Sequence, residues 1–478
     1  MQPNSFLYFG FLIAGALLYY VLPCRARRAY LLALSVLFYW VGAAEYLWLL
    51  AVTVLAGFGV GRWLEHTARK KPVLILGLVL CFGTLAGFKY LRFLGQLISL
   101  PLAWLGLPAL VLPAPLLPLG ISFYLFVTSG YLIDVYRGKR AAERNLLDYA
   151  LFVSFFPAIL SGPIERADHL LPQLKALPKV SGEDIRLGVT RLLSGLARKV
   201  LIADSLAILV NTAYASPDSF SALQLMVAAI AYSFQIFFDF SACSEMAVGA
   251  ARLFGIRLCE NFHAPYLADS CKEFWRRWHI SLSTWFRDYV YIPLGGSRRG
   301  KMRTWLNVMI VFALSGLWHG AAMNFVVWGL LCGAYQVVGA MTLPARKRLP
   351  IPWDAKWRKV LRVIVTFGLT TVSWVFFRAD SCTQAVFILR RIVTAGGACF
   401  PLVLNSMGMS TAKLWVLGAS LVLFFTLDCL EETVGLRDRV VRTVWLRCFL
   451  WAALLAAVAL FGAYGSGYDA QEFVYFRF

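Results

Sequence analysis

The sequence predicts an all-α polytopic membrane protein, with about ten to twelve transmembrane helices plus re-entrant and interfacial helices. Three observations predict it. Hydrophobic residues make up 60% of the 478-residue chain and charged residues only 15%, giving a mean hydropathy of +0.69. Apolar runs such as residues 6–22, 73–88 and 414–427 approach or reach the length that spans a hydrocarbon core. The net charge of +21 is gathered in short clusters between those runs, at 25–28, 62 with 69–71, 137–144, 298–303, 346–348 and 437–442. Cytoplasmic loops carry charge in this way under the positive-inside rule. A nucleic-acid surface would gather it on one soluble face, so no nucleic-acid partner is expected. The short alternating segments of a β-barrel are absent from the sequence.

Phe6–Val21 reads as the first span, entering from outside and followed by the basic cluster at 25–28, so it is not a cleaved leader. Two helices within 31–61 return the chain to a basic loop at 69–71, and 73–88 crosses outward. Residues 98–118 carry five prolines (101, 108, 113, 115 and 118) and read as interfacial or re-entrant material on the outer side. Residues 119–136 cross inward, with Ser122, Thr128, Ser129 and Asp134 on a face turned to protein or a cavity. Residues 152–160 are too short to span, and a helix that enters the membrane and stops at Gly162 and Pro163 is expected.

Residues 187–210 cross outward and 223–254 return, interrupted by Asp239 and Glu245. Carboxylates at that depth face a bundle interior or a water-filled cavity. They are either buried groups hydrogen-bonded to neighbours or direct participants in chemistry. Residues 274–290 read as one amphipathic helix, with Phe274, Trp278, Leu282, Trp285 and Tyr289 on one side. Arg276, Arg277, Ser283, Thr284 and Arg287 occupy much of the remainder. Residues 305–317 lead to His319 and 321–338 lead back to the basic cluster at 346–348. Further helices fit 360–377, 414–430 and 444–461, leaving the tail 465–478 outside. There is no internal repeat, and residues 1–478 read as one membrane domain with a core at 232–335. The ten cysteines form no CxxC pair and read as small buried hydrophobes, not as disulfides or a zinc site.

The candidate chemistry lies in that core. His319, in Ser315-Gly316-Leu317-Trp318-His319-Gly320, falls between two apolar helical runs. A neutral imidazole sits inside a membrane protein without a fixed charge and can take a proton from a hydroxyl near neutral pH. The flanking glycines permit close approach of a substrate. The alternative is a histidine that only hydrogen-bonds a neighbouring helix. His279 lies four residues after Trp275 and four before Ser283, on one expected helical face. It belongs either to a solvated cytoplasmic face or to a site where Arg276, Arg277 and Arg287, with Lys301 and Arg303, receive a phosphate-bearing donor such as a coenzyme. No P-loop, HExxH or GxSxG occurs, so no metal site and no α/β-hydrolase nucleophile are expected.

The core motifs are YSFQIFFDFS (232–241), ENFHAPY (260–266), EFWRRWHISLSTWFRDYVYIPLGG (273–296), LSGLWHG (314–320) and NFVVWG (324–329). With LPLGISFYLF (117–126), YLIDVYRG (131–138), FFPAILSGPIER (155–166) and FVYFRF (473–478), they make the chain resemble the membrane-bound O-acyltransferase superfamily. The likeness is to its bacterial branch of alginate O-acetylation and teichoic acid D-alanyl transfer proteins, which usually carry a glycine–tyrosine pair where this chain has Ala242 and Cys243. The resemblance implies a ring of tilted helices around a central tunnel, with His319 as the catalytic histidine and His279 across the reaction chamber. Trp275, Arg276, Arg277, Ser283, Ser315, Trp318, Asn324 and Asp239 become the candidate substrate-binding side chains. It implies transfer of acetyl from acetyl-CoA, with no tightly bound cofactor, to an exported polysaccharide or cell-wall glycan. Further expectations are a bacterial inner-membrane location with periplasmic termini, contact with membrane lipid, a serine-type O-acetyltransferase partner on the outer side, and a polysaccharide synthesis and export complex. The rival reading is a transporter or flippase of a lipid-linked saccharide with the histidines as proton relays; a scaffold of a secretion complex is the third.

Overall fold

The computed structural model describes residues 3–113, 115–348, 355–394 and 407–462. Every regular element among them is a helix. Seven helical stretches among the described residues are long and apolar enough to cross a membrane, and two of these, Cys24–His66 and Lys70–Trp104, hold two helices each. Phe6–Val21 and Ile121–Tyr136 are shorter apolar helices. The all-α polytopic expectation is borne out. The tail at 465–478 and Cys399 lie outside the described residues.

Local sequence sets most boundaries. Ser5 accepts a hydrogen bond from the Tyr8 amide at 3.2 Å and caps Phe6–Val21. The helix Lys70–Leu85 does not end near Phe88 as expected. It continues through a π turn, Ala86–Tyr90, into Leu91–Trp104 and carries Pro101 inside it. One proline removes one backbone donor but does not dissolve the whole ladder, so the irregular Pro-rich segment starts only at 105. The expected broken helix is real but breaks earlier. Leu146–Ser154 gives way at Phe155 to the short turn Phe156–Ile159. There the Ser35 hydroxyl accepts from the Phe156 amide at 3.1 Å, which satisfies backbone that the break exposes.

The described chain forms two compact units. One comprises residues 1–192 and 246–259, the other 193–245 and 260–478. The core of the second is built on Tyr232, Phe238, Trp278, Trp328, Trp374 and Phe377. Its helices carry buried charge in pairs. Lys199, with its side chain 1% exposed, places Nζ 2.9 Å from Asp204 and 2.7 Å from Asp239, and Glu245 meets Arg437 at 2.9 Å. Both carboxylates that interrupt the long apolar helix Ala222–Leu253 therefore have a cation beside them. Four of the described cysteines (81, 243, 271 and 332) are buried as expected, whereas Cys24 and Cys448 are exposed.

Lys199→Met leaves Asp204 and Asp239 buried without their shared cation, and is expected to destabilise the protein by about 3–5 kcal/mol. A thermal unfolding midpoint unchanged from wild type would show that the triad carries no stability.

Candidate active site

The site is built on a helical hairpin, Lys301–His319 and Met323–Arg348. Its two helices meet backbone to backbone. A methyl group on Gly316 would lie 2.2 Å from the Phe325 carbonyl oxygen, and one on Gly329 would lie 2.2 Å from that of Phe312. Small residues at a helix crossing permit this approach. His319 is the last residue of the first helix and is 3% exposed. Its ring stands edge-on to Trp318, Trp328 and Phe377, with centroids at 4.8, 5.0 and 5.3 Å. Gly320 is extended, and a Cβ there would fall 2.1 Å from the Phe325 ring. Ser315 is buried one turn before His319. Asn324 donates its amide to the carbonyls of Ala379, at 2.8 Å, and Phe376, at 3.3 Å. It satisfies the open carbonyl end of the helix Ala355–Arg378.

His279 is placed in a way the sequence did not foretell. The expected single amphipathic helix is two short ones, Cys271–Arg277 and Ile280–Phe286, followed by a π turn at Arg287–Tyr291. His279 itself sits between them at φ +41°, ψ +56°, in the left-handed region. The shared face of Trp275, His279 and Ser283 is therefore corrected, because i, i+4 geometry does not carry across a break. The cause lies in Asn261. Its carbonyl oxygen accepts from the Ile280 amide at 3.0 Å, and its side-chain oxygen accepts from the Ser281 hydroxyl at 2.7 Å. An asparagine from another loop thus caps the second helix, while the His263 amide takes the carbonyl of Arg277 at 3.0 Å.

His279 is 1% exposed and stands edge-on to Phe240, centroids 4.7 Å apart. Trp318 lies beside it as well, with centroids 6.0 Å apart. The indole of Trp318 thus contacts both histidine rings. Trp275 packs on Phe312 and Trp328, joining the wall behind His319. Ser283 donates to the Trp278 carbonyl at 3.3 Å. Arg277 is engaged by Glu273 at 2.9 Å and Glu432 at 3.4 Å; Arg276 also pairs with Glu273, at 3.6 Å, with its side chain 67% exposed. Arg298, Arg299, Lys301 and Arg303 are exposed around the turn that opens the hairpin. Asp239 faces Lys199. Sequence reasoning assigned no role to Phe240, Asn261, Trp374 or Phe377. Asn261 and Phe240 lie inside quoted motifs, which was the available signal; Trp374 and Phe377 carry none.

His279 lies outside the spanning stretches, and burial pushes its imidazole down from the ordinary 6.5 to about 3. It is neutral at physiological pH and can accept or donate a hydrogen bond without bringing charge. The unfolded chain takes up this proton below about 6.5 while the folded chain refuses it down to about 3. The associated stability is complete above 6.5 and lost as pH falls towards 3. Between pH 6.5 and 5 wild type is expected to lose about 2 kcal/mol more than His279→Gln, measured by chemical unfolding at both pH values. Equal losses would contradict the assignment. Gly320→Ala has no space for its methyl and is expected to displace Phe325 and His319. The overpacking should cost about 1–3 kcal/mol, read as a lowered thermal unfolding midpoint of the purified protein; an unchanged midpoint would contradict the packing.

The family described as MBOAT, membrane-bound O-acyltransferase family, matches residues 139–379, a range that takes in every candidate site residue. A probable alginate O-acetylase AlgI of Pseudomonas syringae pv. tomato is 40% identical over 386 residues, 79% of this chain and 72% of that protein. A peptidoglycan O-acetyltransferase of Helicobacter pylori is 35% identical over 425 residues, 81% and 79% of the two chains. A teichoic acid D-alanyltransferase of Bacillus subtilis is 27% identical over 268 residues, 54% and 68%.

Proposed function

The chain belongs to the membrane-bound O-acyltransferase family and is a multi-pass acyltransferase; on that premise we propose that it moves acetyl from acetyl-CoA across the bacterial inner membrane for O-acetylation of an exported polysaccharide or cell-wall glycan. The observation that carries the reading is His319, buried at the end of a rigid hairpin and walled by Trp318, Trp328 and Phe377. Two of the relatives named above are O-acetylating proteins of alginate and peptidoglycan, which supports acetyl as the group and a glycan as its destination.

In this reading His319 takes the proton of the acceptor hydroxyl as its oxygen attacks the thioester carbonyl. The carbon–sulfur bond breaks, and the coenzyme leaves as a thiolate that recovers a proton. The alternative of an acyl group carried on the imidazole itself uses the same residue. His279, neutral and across Trp318, orients the donor carbonyl or hands on the proton. The exposed basic loop at 298–303, with Arg276, receives the phosphates of the donor on the cytoplasmic side. Trp275, Ser283, Ser315 and Trp318 shape the path of the acyl group. Arg277, Asn324 and Asp239, already bonded within the protein, hold that path in place. The acceptor stage involves a serine-type O-acetyltransferase on the outer side, within a polysaccharide synthesis and export complex, and both chain termini are periplasmic. Membership of an enzyme family sets the transporter and scaffold readings aside.

The test is transfer of radiolabelled acetyl from acetyl-CoA by protein in nanodiscs, with the partner and glycan supplied. His319→Ala is expected to lower the rate by about 10²–10⁴-fold, the worth of general acid–base catalysis. Label trapped on wild-type protein would identify a covalent carrier. Acetyl-CoA left intact by wild type would overturn the donor assignment.

A further inference from the structure

Away from the two histidines, the first compact unit brings together three donors of different chemistry. Glu165 follows the broken helix, His169 lies on the helix Ala167–Ala176, and Cys259 comes from the loop after Ala222–Leu253. The Glu165 Oε2 atom is 2.6 Å from His169 Nδ1, and Cys259 Sγ is 3.5 Å from that same nitrogen and 3.7 Å from that same oxygen. From these contacts the geometry points to a transition-metal site, with Glu165, His169 and Cys259 as three ligands of a zinc ion and the fourth position open to water.

The shape of the triangle is the first support. With Zn–N and Zn–O near 2.05 Å and Zn–S near 2.3 Å, a tetrahedral ion separates sulfur from nitrogen or oxygen by about 3.6 Å and nitrogen from oxygen by about 3.3 Å. Two edges already have that length. The third is closed by a hydrogen bond and must open by about 0.7 Å, within reach of a glutamate rotamer adjustment.

The convergence on one nitrogen is the second. In a nucleophile–base–orienter relay the thiol and the carboxylate use opposite nitrogens of the imidazole. Here both meet Nδ1, which cannot relay a proton between them but can turn its lone pair towards a shared cation. The donor set is also charge-matched, since a thiolate and a carboxylate neutralise a divalent ion. Mixed sulfur, imidazole and carboxylate ligation suits zinc better than magnesium or calcium, which select oxygen alone.

The surroundings hold the donors still. Gln173 ties its helix to the loop that carries Cys259, donating its side-chain amide to the Arg257 carbonyl at 2.9 Å and accepting from the Arg257 amide at 2.9 Å. The second carboxylate oxygen of Glu165 accepts from the Cys259 amide at 2.6 Å. Such outer hydrogen bonds orient metal ligands. The His169 side chain is 40% exposed, which leaves an entry path and room for water. Binding releases the thiol proton, and the imidazole proton where present, to solvent; no electron changes hands.

The experiment uses the full chain in detergent, stripped with a chelator and titrated with Zn²⁺ against a chromophoric competitor, then with Co²⁺. Wild type is expected to take up one more tightly held equivalent of zinc than Cys259→Ser or His169→Gln. Its cobalt form should show a thiolate charge-transfer band that Cys259→Ser abolishes. Gln173→Ala, which keeps all three ligands, should weaken affinity about 10–100-fold. Equal zinc uptake by wild type and the variants, or a wild-type cobalt form without the thiolate band, would overturn the site and leave a hydrogen-bonded cluster. The wild-type cobalt spectrum decides even where a variant fails to fold.

Discussion

His319 is held where it is because two helices touch through their backbones. Within a lipid bilayer apolar burial does not drive helices together as it does in water, so close van der Waals contact and interhelical hydrogen bonds must do so. Gly316 and Gly329 permit that contact. The crossing then fixes Phe325, whose ring fills the space beside Gly320 and meets Phe377 at 5.1 Å. Asn324, one residue earlier, bonds the carbonyl end of Ala355–Arg378. A single crossing therefore places the histidine, the aromatic wall around it and the helix that supplies Trp374 and Phe377.

The second histidine depends on a different device. A side chain other than glycine in the left-handed region costs about 1–2 kcal/mol, and His279 occupies that region while fully enclosed. The hydrogen bonds from Ile280 and Ser281 to Asn261 and the edge-on contact with Phe240 offset the strain. A continuous helix through 274–290 would have carried the ring round with its neighbours. The break lets its orientation be set by Phe240 and Trp318 instead. Strain at a motif residue, kept in place by specific partners, is where a functional constraint is expected to show.

Much of this was legible in the sequence, and the failures share a cause. The helices Phe6–Val21 and Val444–Phe461 follow from their apolar runs and come within a residue of their expected bounds. His319 between two apolar runs and the basic loop at 298–303 were legible because each depends on neighbours in sequence. The break at His279 was not, because residues 274–290 hold no proline or glycine and the cap comes from Asn261, in a separate loop. The run through Pro101 and the early stop at Phe155 likewise depend on what the backbone meets elsewhere, Ser35 in the second case. Glu165, His169 and Cys259 span 95 positions of sequence, and no spacing rule reaches that far.

The buried charges complete the picture. Ala222–Leu253 is the most enclosed of the spanning stretches, with 78% of its apolar window buried against 11–44% for the others. An ionised carboxylate on such a helix is tolerable only with a cation close by, and Asp239 and Glu245 meet Lys199 and Arg437. Asp239 directly precedes Phe240, the ring against which His279 stands. The ion pair therefore anchors the backbone from which Phe240 projects. Rotation or sliding of the helix would have to break a buried salt bridge before it could move that ring. The same carboxylate that interrupts the apolar pattern thus limits how far His279 can shift relative to Trp318 and His319. Charge placed in the core of this protein acts on the site as a positional constraint, without needing to enter the chemistry.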